Sequence, residues 1–379
     1  MSATSQPAVA SRRVRPADFG TLEELLFEGR DSYAAPVDER RRVEWIAAAA
    51  EHHLAASPLL RRLADHQGFS PDALRATGDL ASVPLLSSGL FKRADVASAA
   101  TGAVRLCLSS GTRGSRSVVP RDEPTLERFV GTVLHGLREF HGHTDAREAL
   151  VLSPPRAEVE DLWFAYVLTL VELLYDTRFF VRDGELRVGE LYEALAGLDA
   201  ATQPTIVAPP GLLLDLLRWM EERSLRVDLA AREGSVVTAG GWKRREAEAV
   251  DRGELTALAE GRLGVRPERV TDAFNMVELN TVLFECERAR KHVPPWLAAI
   301  PRRPSDLAPA EPGEMGLLSF LDPTATSYPA FVLSDDFGEV DAGGCPCGRA
   351  GETVSITRRL ATVEQRGCGL KLDRYARAA

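Results

Sequence analysis

Leu106-Cys107-Leu108-Ser109-Ser110-Gly111-Thr112-Arg113-Gly114-Ser115-Arg116-Ser117 decides how this chain is read. An apolar run of strand character breaks into a loop of hydroxyls and glycines that carries two arginines. Glycines let a backbone turn tightly and bring its N–H groups close to an anion. Ser109, Ser110 and Thr112 add hydroxyl donors, and Arg113 and Arg116 add positive charge. The set suits the triphosphate of a nucleotide. It lacks the Gly-Lys-Ser/Thr that closes the loop of the common NTPases, and taken alone it fits a surface turn equally well.

The flanking sequence argues for the ligand loop. Beyond it, short apolar runs end in turn-forming residues: Ala149–Leu152 before Ser153-Pro154-Pro155, and Thr205–Ala208 before Pro209-Pro210-Gly211. Gly234–Thr238 precedes Ala239-Gly240-Gly241, and Arg269–Asp272 precedes Ala273-Phe274-Asn275. Helical patterns lie between them, at Leu212–Glu222 and Arg244–Arg262. Repeated strand, loop and helix imply a parallel sheet whose ligands gather outside the carboxyl ends of the strands. Before the loop, residues from about Pro16 to Ala100 read as helical, with Ser70 and Pro71 placed to start a helix after Gly68. Leu162–Leu174 reads as a buried helix. From about Pro301 the runs Gly316–Leu321 and Ala330–Leu333 read as strands of a β-rich unit. The expected division is a helical region over 1–100, an α/β core over 101–300 and a small β-rich subdomain over 301–379.

The chain has 379 residues and a formal net charge of -9, which argues against nucleic acid or an anionic membrane as partner. No export signal follows Met1. With five cysteines, at 107, 286, 345, 347 and 368, a reducing cytoplasm is the expected setting. Cys286 and His292, with Cys345 and Cys347, supply three thiols and an imidazole, enough for a closed tetrahedral zinc site. Packed thiols beside a surface His292 are the alternative. His135, His141 and His143, near Asp145, read as a solvated helix end.

Several of these loops now line up in an order that resembles the adenylate-forming (acyl-AMP) ligases, most closely the LuxE-type acyl-protein synthetases, a branch near the phenylacetate–CoA ligases. The likeness runs from about Leu86 to the C-terminus. Ser109–Ser117 is similar to the family's Ser-Gly-Thr-Thr-Gly phosphate loop, with Arg113 at its second Thr and Arg116 where Lys is usual. Gly240-Gly241-Trp242-Lys243 resembles the segment that lies against adenine, with Lys243 in reach of a phosphate or the substrate carboxylate. Asp272–Glu278 resembles the aromatic-Gly-x-Thr-Glu motif. The resemblance gives Phe274 the adenine face and Glu278 the Mg²⁺, while Asn275 replaces the Gly and Val277 the Thr. Asp336, beside Asp335, matches the ribose-binding Asp, and Cys347-Gly348-Arg349 resembles a Cys-Gly-Arg segment that would bring Arg349 near the nucleotide.

The resemblance implies an α/β fold: a large domain of parallel sheets flanked by helices plus a small β-rich subdomain, with the mobile C-terminal domain of the larger ligases absent. It implies ATP-dependent activation of a carboxylic acid, with ATP and Mg²⁺ as cofactors. The acyl group would then pass to Cys368, which matches the acyl-accepting cysteine near the C-terminus, and on to an acyl-accepting reductase or carrier protein. Flanking glycines give Cys368 mobility, and Arg366 and Lys371 favour its thiolate. Two alternatives stand beside this reading. One is an acyl- or aryl-CoA ligase or amide-forming synthetase; the other is a non-catalytic nucleotide-binding relative.

Overall fold

The computed structural model of the chain describes residues 21–29, 32–33, 36–98, 102–109, 116–142, 147–159 and 161–359. Its N-terminal helices start where the sequence supplies caps. Thr21 and Glu24 form a capping box on α1 (Leu22–Glu28), and Asp38 caps α2 (Glu39–Ala56). Ser57 caps α3 (Pro58–Gln67), which Gly68 ends in a left-handed turn at φ 68°. Ser70 then accepts from Ala73 N–H at 3.2 Å to open α4 (Pro71–Thr77), with Pro71 in its first turn. Strand β1 (Leu86–Ser87) follows, then an antiparallel ribbon of β2 (Val104–Leu108) and β3 (Val118–Asp122), and α5 (Glu123–His141).

The four apolar runs become the parallel sheet. In chain order it is built from β4 (Arg147–Val151), α6 (Trp163–Thr169) and β5 (Asp176–Phe179). A hairpin of β6 (Val181–Arg182) and β7 (Glu185–Leu186) leads to α7 (Val188–Ala196), β8 (Gln203–Ala208) and α8 (Pro210–Glu222). Next come β9 (Ser235–Ala239), α9 (Arg252–Leu263), β10 (Val270–Phe274) and β11 (Leu283–Phe284). The order is β11-β10-β9-β8-β4-β5, parallel except for β11. Alternate residues feed two cores. Leu150, Ile206 and Val236 face α7, α8 and α9, whereas Val151, Val207 and Val237 join the larger core on the other side. The helix expected over Arg244–Arg262 is divided. A 3₁₀ segment covers Lys243–Glu248, and α9 starts afresh because Asp251 accepts from Glu254 N–H at 2.9 Å. The helix expected over Leu162–Leu174 is α6 continued by a 3₁₀ turn at Leu170–Leu173.

A second sheet contains β12 (Lys291–His292), β13 (Ala298–Arg302), β14 (Gly316–Leu321), β15 (Phe331–Asp341) and β16 (Thr353–Arg359), in the order β12-β16-β15-β14-β13. It draws in residues from well before Pro301. Strand β1 lies parallel to β15, with Leu86 opposite Val332. Arg42 of α2, 4% exposed, reaches the Leu297 carbonyl at 3.2 Å and Glu352 at 2.6 Å. Phe274 and Phe320 meet at 6.0 Å, so both sheets share the larger core. Among the described residues no helix is long and apolar enough to cross a membrane.

Candidate active site

The neck of the Ser109–Ser117 loop is closed by two hydrogen bonds. Ser109 N–H donates to the Ser117 carbonyl at 3.0 Å, and Ser117 N–H donates to Ser109 Oγ at 2.9 Å. Arg116 is exposed beside this neck. Ser110, Gly111, Thr112, Arg113 and Gly114 lie outside the described residues. The Ser117 hydroxyl donates to Glu278 Oε1 at 2.5 Å, and Glu278 is only 4% exposed. The two segments that carry the phosphate and Mg²⁺ expectations are therefore in direct contact.

The ends of β9 and β10 form the next part of the site. Ala239 pairs with Ala273, so Gly240-Gly241 leave the sheet beside Phe274, the last residue of β10, at the carboxyl edge. Thr238 Oγ1 donates to Asp272 Oδ1 at 2.7 Å and ties the two exits together. Lys291 Nζ stands 3.0 Å from Asp272 and 3.1 Å from Glu285, and Arg252 pairs with Glu285 as well. Burial disfavours the Lys291 ammonium, but these two carboxylates outweigh it and raise its pKa.

Gly240 and Gly241 have φ of 85° and 62°, the left-handed region that favours glycine. A Cβ on Gly240 would sit 2.2 Å from the Phe164 ring, so the close approach needs glycine twice over. Trp242 packs against the core under α7 and α8. Arg245 anchors the segment that follows, donating to both carboxylate oxygens of Asp215 at 2.7 and 2.8 Å. The Lys243 side chain lies outside the described residues.

Asn275, where the motif has Gly, is not in the left-handed conformation. It works through its side chain instead. Its Oδ1 accepts from Trp163 Nε1 at 2.8 Å, and its Nδ2 donates to the Leu279 and Thr281 carbonyls at 3.1 and 2.9 Å. This holds the turn before Glu278 in shape. Asp336 is 8% exposed on β15, with its N–H bonded to Ser334 Oγ at 3.1 Å. Its neighbour Asp335 accepts from Ser88 Oγ at 2.8 Å. Asp336 is the register partner of Arg359, the last described residue of β16.

Arg349 is held by residues of the thiol cluster and of α5. Its partners are Glu287 at 3.0 Å, the Glu139 carbonyl at 3.3 Å and the Phe140 ring, and its N–H points at Cys347 Sγ. It belongs to the thiol cluster. There Cys286, His292, Cys345 and Cys347 bring one ligand atom each within 4.8 Å of one another. Cys286 Sγ is 3.7 Å from Cys345 Sγ, and Cys347 Sγ is 3.4 Å from His292 Nε2. His292 is fully buried, which removes the surface alternative. Burial pushes the Cys286 thiol up to about 12. Burial also opposes the Cys347 thiolate, but the Arg349 N–H and guanidinium outweigh it and lower that thiol. Cys368 lies outside the described residues.

The histidine cluster is corrected too. His135 and His141 are 1% and 7% exposed, because α5 packs both inward. His135 Nε2 bonds Ser32 Oγ at 2.7 Å, and the His141 ring stands by Phe284. His143 and Asp145 lie outside the described residues. Arg121 is a site residue that no motif in the sequence marks. It is fully buried against the turn at Val277–Asn280.

The chain is similar to proteins already known. A 2-hydroxyisobutyryl-CoA ligase, solved in complex with its 2-hydroxyisobutyryl-AMP and CoA, superposes with a TM-score of 0.66 over 85% of this chain and 68% of its own, at 14% identity. The same enzyme in its postadenylation state gives 0.68 over 89% and 74%. At that identity the likeness establishes the fold of the adenylate-forming ligases. Two curated relatives are named long-chain-fatty-acid–luciferin-component ligase. The one from Aliivibrio fischeri is 36% identical over 70% of each chain, and the one from Vibrio harveyi is 31% identical over 93% of each. The family model for acyl-protein synthetase, LuxE, matches residues 20–376, and this chain belongs to that family.

Proposed function

We propose that this protein activates a long-chain fatty acid as its acyl-adenylate and passes the acyl group to a thiol. The contact of Ser117 with Glu278 carries this reading, because it joins a phosphate-type loop to a buried carboxylate at 2.5 Å. The names of the two curated relatives supply the class of acid. In the first step a carboxylate oxygen of the fatty acid attacks the α-phosphorus of ATP. The P–O bond to the β-phosphate breaks, and pyrophosphate leaves with its electron pair. Ser109, Ser110, Thr112, Arg113, Arg116 and Lys243 meet the charge on the phosphates. Phe274, Gly240, Gly241 and Trp242 take the adenine, and Asp336 accepts from the ribose hydroxyls. Glu278 is a hard oxygen donor of the kind Mg²⁺ takes, held in orientation by Ser117. Magnesium there supplies positive charge to the polyphosphate.

In the second step the Cys368 thiolate attacks the acyl carbon and AMP departs with the bonding pair, leaving a thioester. Cys368 lies nine residues after Arg359, which pairs with Asp336. Nine extended residues span about 30 Å, enough to carry the thiol from the ribose carboxylate to the α-phosphate. An acyl-accepting reductase or carrier protein would then take the group.

The test is ATP–pyrophosphate exchange screened over fatty and aromatic acids, with Cys368→Ser in parallel. Exchange with long-chain acids is expected in both proteins, with covalent acylation lost in the variant. Protein that binds ATP yet exchanges with no acid would overturn the reading in favour of a nucleotide-binding relative.

The thiol cluster supports a zinc ion as a structural cofactor. In a tetrahedron with Zn–S of about 2.3 Å, neighbouring sulfurs stand about 3.8 Å apart; Cys286 and Cys345 stand at 3.7 Å. Arg288 N–H and Arg349 N–H point at Cys286 and Cys347 Sγ at 3.4 and 3.5 Å, stabilising thiolate charge. Four protein donors leave no open position, so the ion would cross-link the turn before β12 to the turn before β16 and take no part in acyl transfer. One equivalent of zinc in protein purified without chelator is the expected result; metal-free protein of unchanged stability would reject it.

A further inference from the structure

Arg121 is fully buried, and its hydrogen-bond partners among the described residues are all uncharged. Taking a guanidinium out of water without a counter-ion is costly unless donors find acceptors; Nη1 has no hydrogen-bond partner among the described atoms, and the bonds are made by Nε and Nη2. Here they converge on one turn. Nη2 donates to the Val277 carbonyl at 2.7 Å and the Leu279 carbonyl at 3.3 Å, and Nε donates to Asn280 Oδ1 at 3.1 Å. Nη2 also meets the Tyr328 hydroxyl at 3.0 Å, and the Trp163 ring lies 3.6 Å from the guanidinium carbon. The two carbonyls belong to the residues on either side of Glu278.

Strand β3 therefore holds Glu278 in two ways. Ser117, just before the strand, binds its carboxylate; Arg121, four residues on and facing the same way, grips the main chain around it. Trp163 closes the arrangement, since its indole covers Arg121 and its N–H fixes Asn275 in the same turn. A lysine could not reproduce this, because its three donors radiate from a point and do not form a planar fork.

We propose that Arg121 is the positioning residue for Glu278: by binding the carbonyls of Val277 and Leu279 it sets the carboxylate at the neck of the phosphate loop. The proposal rests on the reading of Glu278 as a magnesium–nucleotide ligand, and the test separates the two. Fatty-acid-dependent pyrophosphate exchange is measured in wild type, Arg121→Lys, Tyr328→Phe and Glu278→Gln, varying Mg·ATP and fatty acid in turn, with thermal melting as the check on folding. Arg121→Lys is expected to raise KM for Mg·ATP at least tenfold while KM for the fatty acid stays within twofold. Tyr328→Phe, which keeps the ring and removes one acceptor, shifts the same KM two- to threefold. Wild-type Mg·ATP dependence in both folded variants, with Glu278→Gln impaired, would overturn the role of Arg121. A change confined to the fatty-acid KM would overturn it in favour of carboxylate binding. Wild-type behaviour of Glu278→Gln would remove the reading of Glu278 itself, and the proposal with it. Should Arg121→Lys fail to fold, Tyr328→Phe decides.

Discussion

Ser117 and Glu278 stand 161 residues apart in sequence and 2.5 Å apart in space, hydroxyl to carboxylate oxygen. A hydrogen bond to a charged group is worth about 1.5–3 kcal/mol, and here it orients a carboxylate that is nearly sealed from water. Ser117→Ala is expected to lower kcat/KM for Mg·ATP in pyrophosphate exchange by roughly ten- to a hundredfold. Rates within twofold of wild type would mean that the bond serves folding alone.

Gly240→Ala tests the close approach to Phe164. The new methyl would overlap the ring, and the left-handed backbone adds its own penalty. Overpacking and strain together should cost about 2–4 kcal/mol, read as a lower urea midpoint. Adding Phe164→Leu should restore the packing part and leave the backbone part.

Acid should weaken the fold through two buried imidazoles. Burial, with help from His52, lowers His53 to about 3. Burial, with Arg147, Arg269 and Arg349, lowers His141 to about 3. Between pH 6.5 and that value the unfolded chain binds a proton at each site that the native protein refuses. Stability therefore falls as pH drops below about 6.5, by about 1.4 kcal/mol per pH unit for each histidine. His141 Nε2 has no partner among the described atoms, so His141→Leu should fold well at pH 7. Its urea midpoint should fall less steeply from pH 7 to pH 5; an unchanged slope would show that His141 is protonated in the native state.

Cys345→Ser should release the metal and lower the melting temperature. In the wild type, the thiols of Cys286, Cys345 and Cys347 should resist a disulfide reagent until a chelator is added. Immediate reaction of all three would count against a bound ion.

The strands β4, β8, β9 and β10 were legible because each is an apolar run that ends in glycine, proline or a small residue. The loop at Ser109, the glycines at 240 and 241 and the acidic end of the Asp272–Glu278 turn were legible as local chemistry. What stayed hidden was long-range partnership. Nothing near Arg121 in sequence announces that it will be buried against residues 277–280. The Cys-Gly-Arg segment does not announce that Arg349 will pair with Glu287, 62 residues away, beside the thiols. The burial of His135 and His141 comes from the packing of α5, which polar neighbours in sequence do not report.

The pairing of Leu86 with Val332 has a consequence for how the protein is made. A ribosome adding about 5–20 residues per second takes roughly ten to fifty seconds to travel from one partner to the other. Throughout that interval the segment around Leu86 has no sheet to join. The helices ahead of it can form at once, since their caps are local, but their seat on the second sheet waits for the C-terminal quarter of the chain. Fragments cut between the two partners should therefore be poor folders on either side of the cut, and the nascent protein is a natural client for chaperones until its last strands emerge.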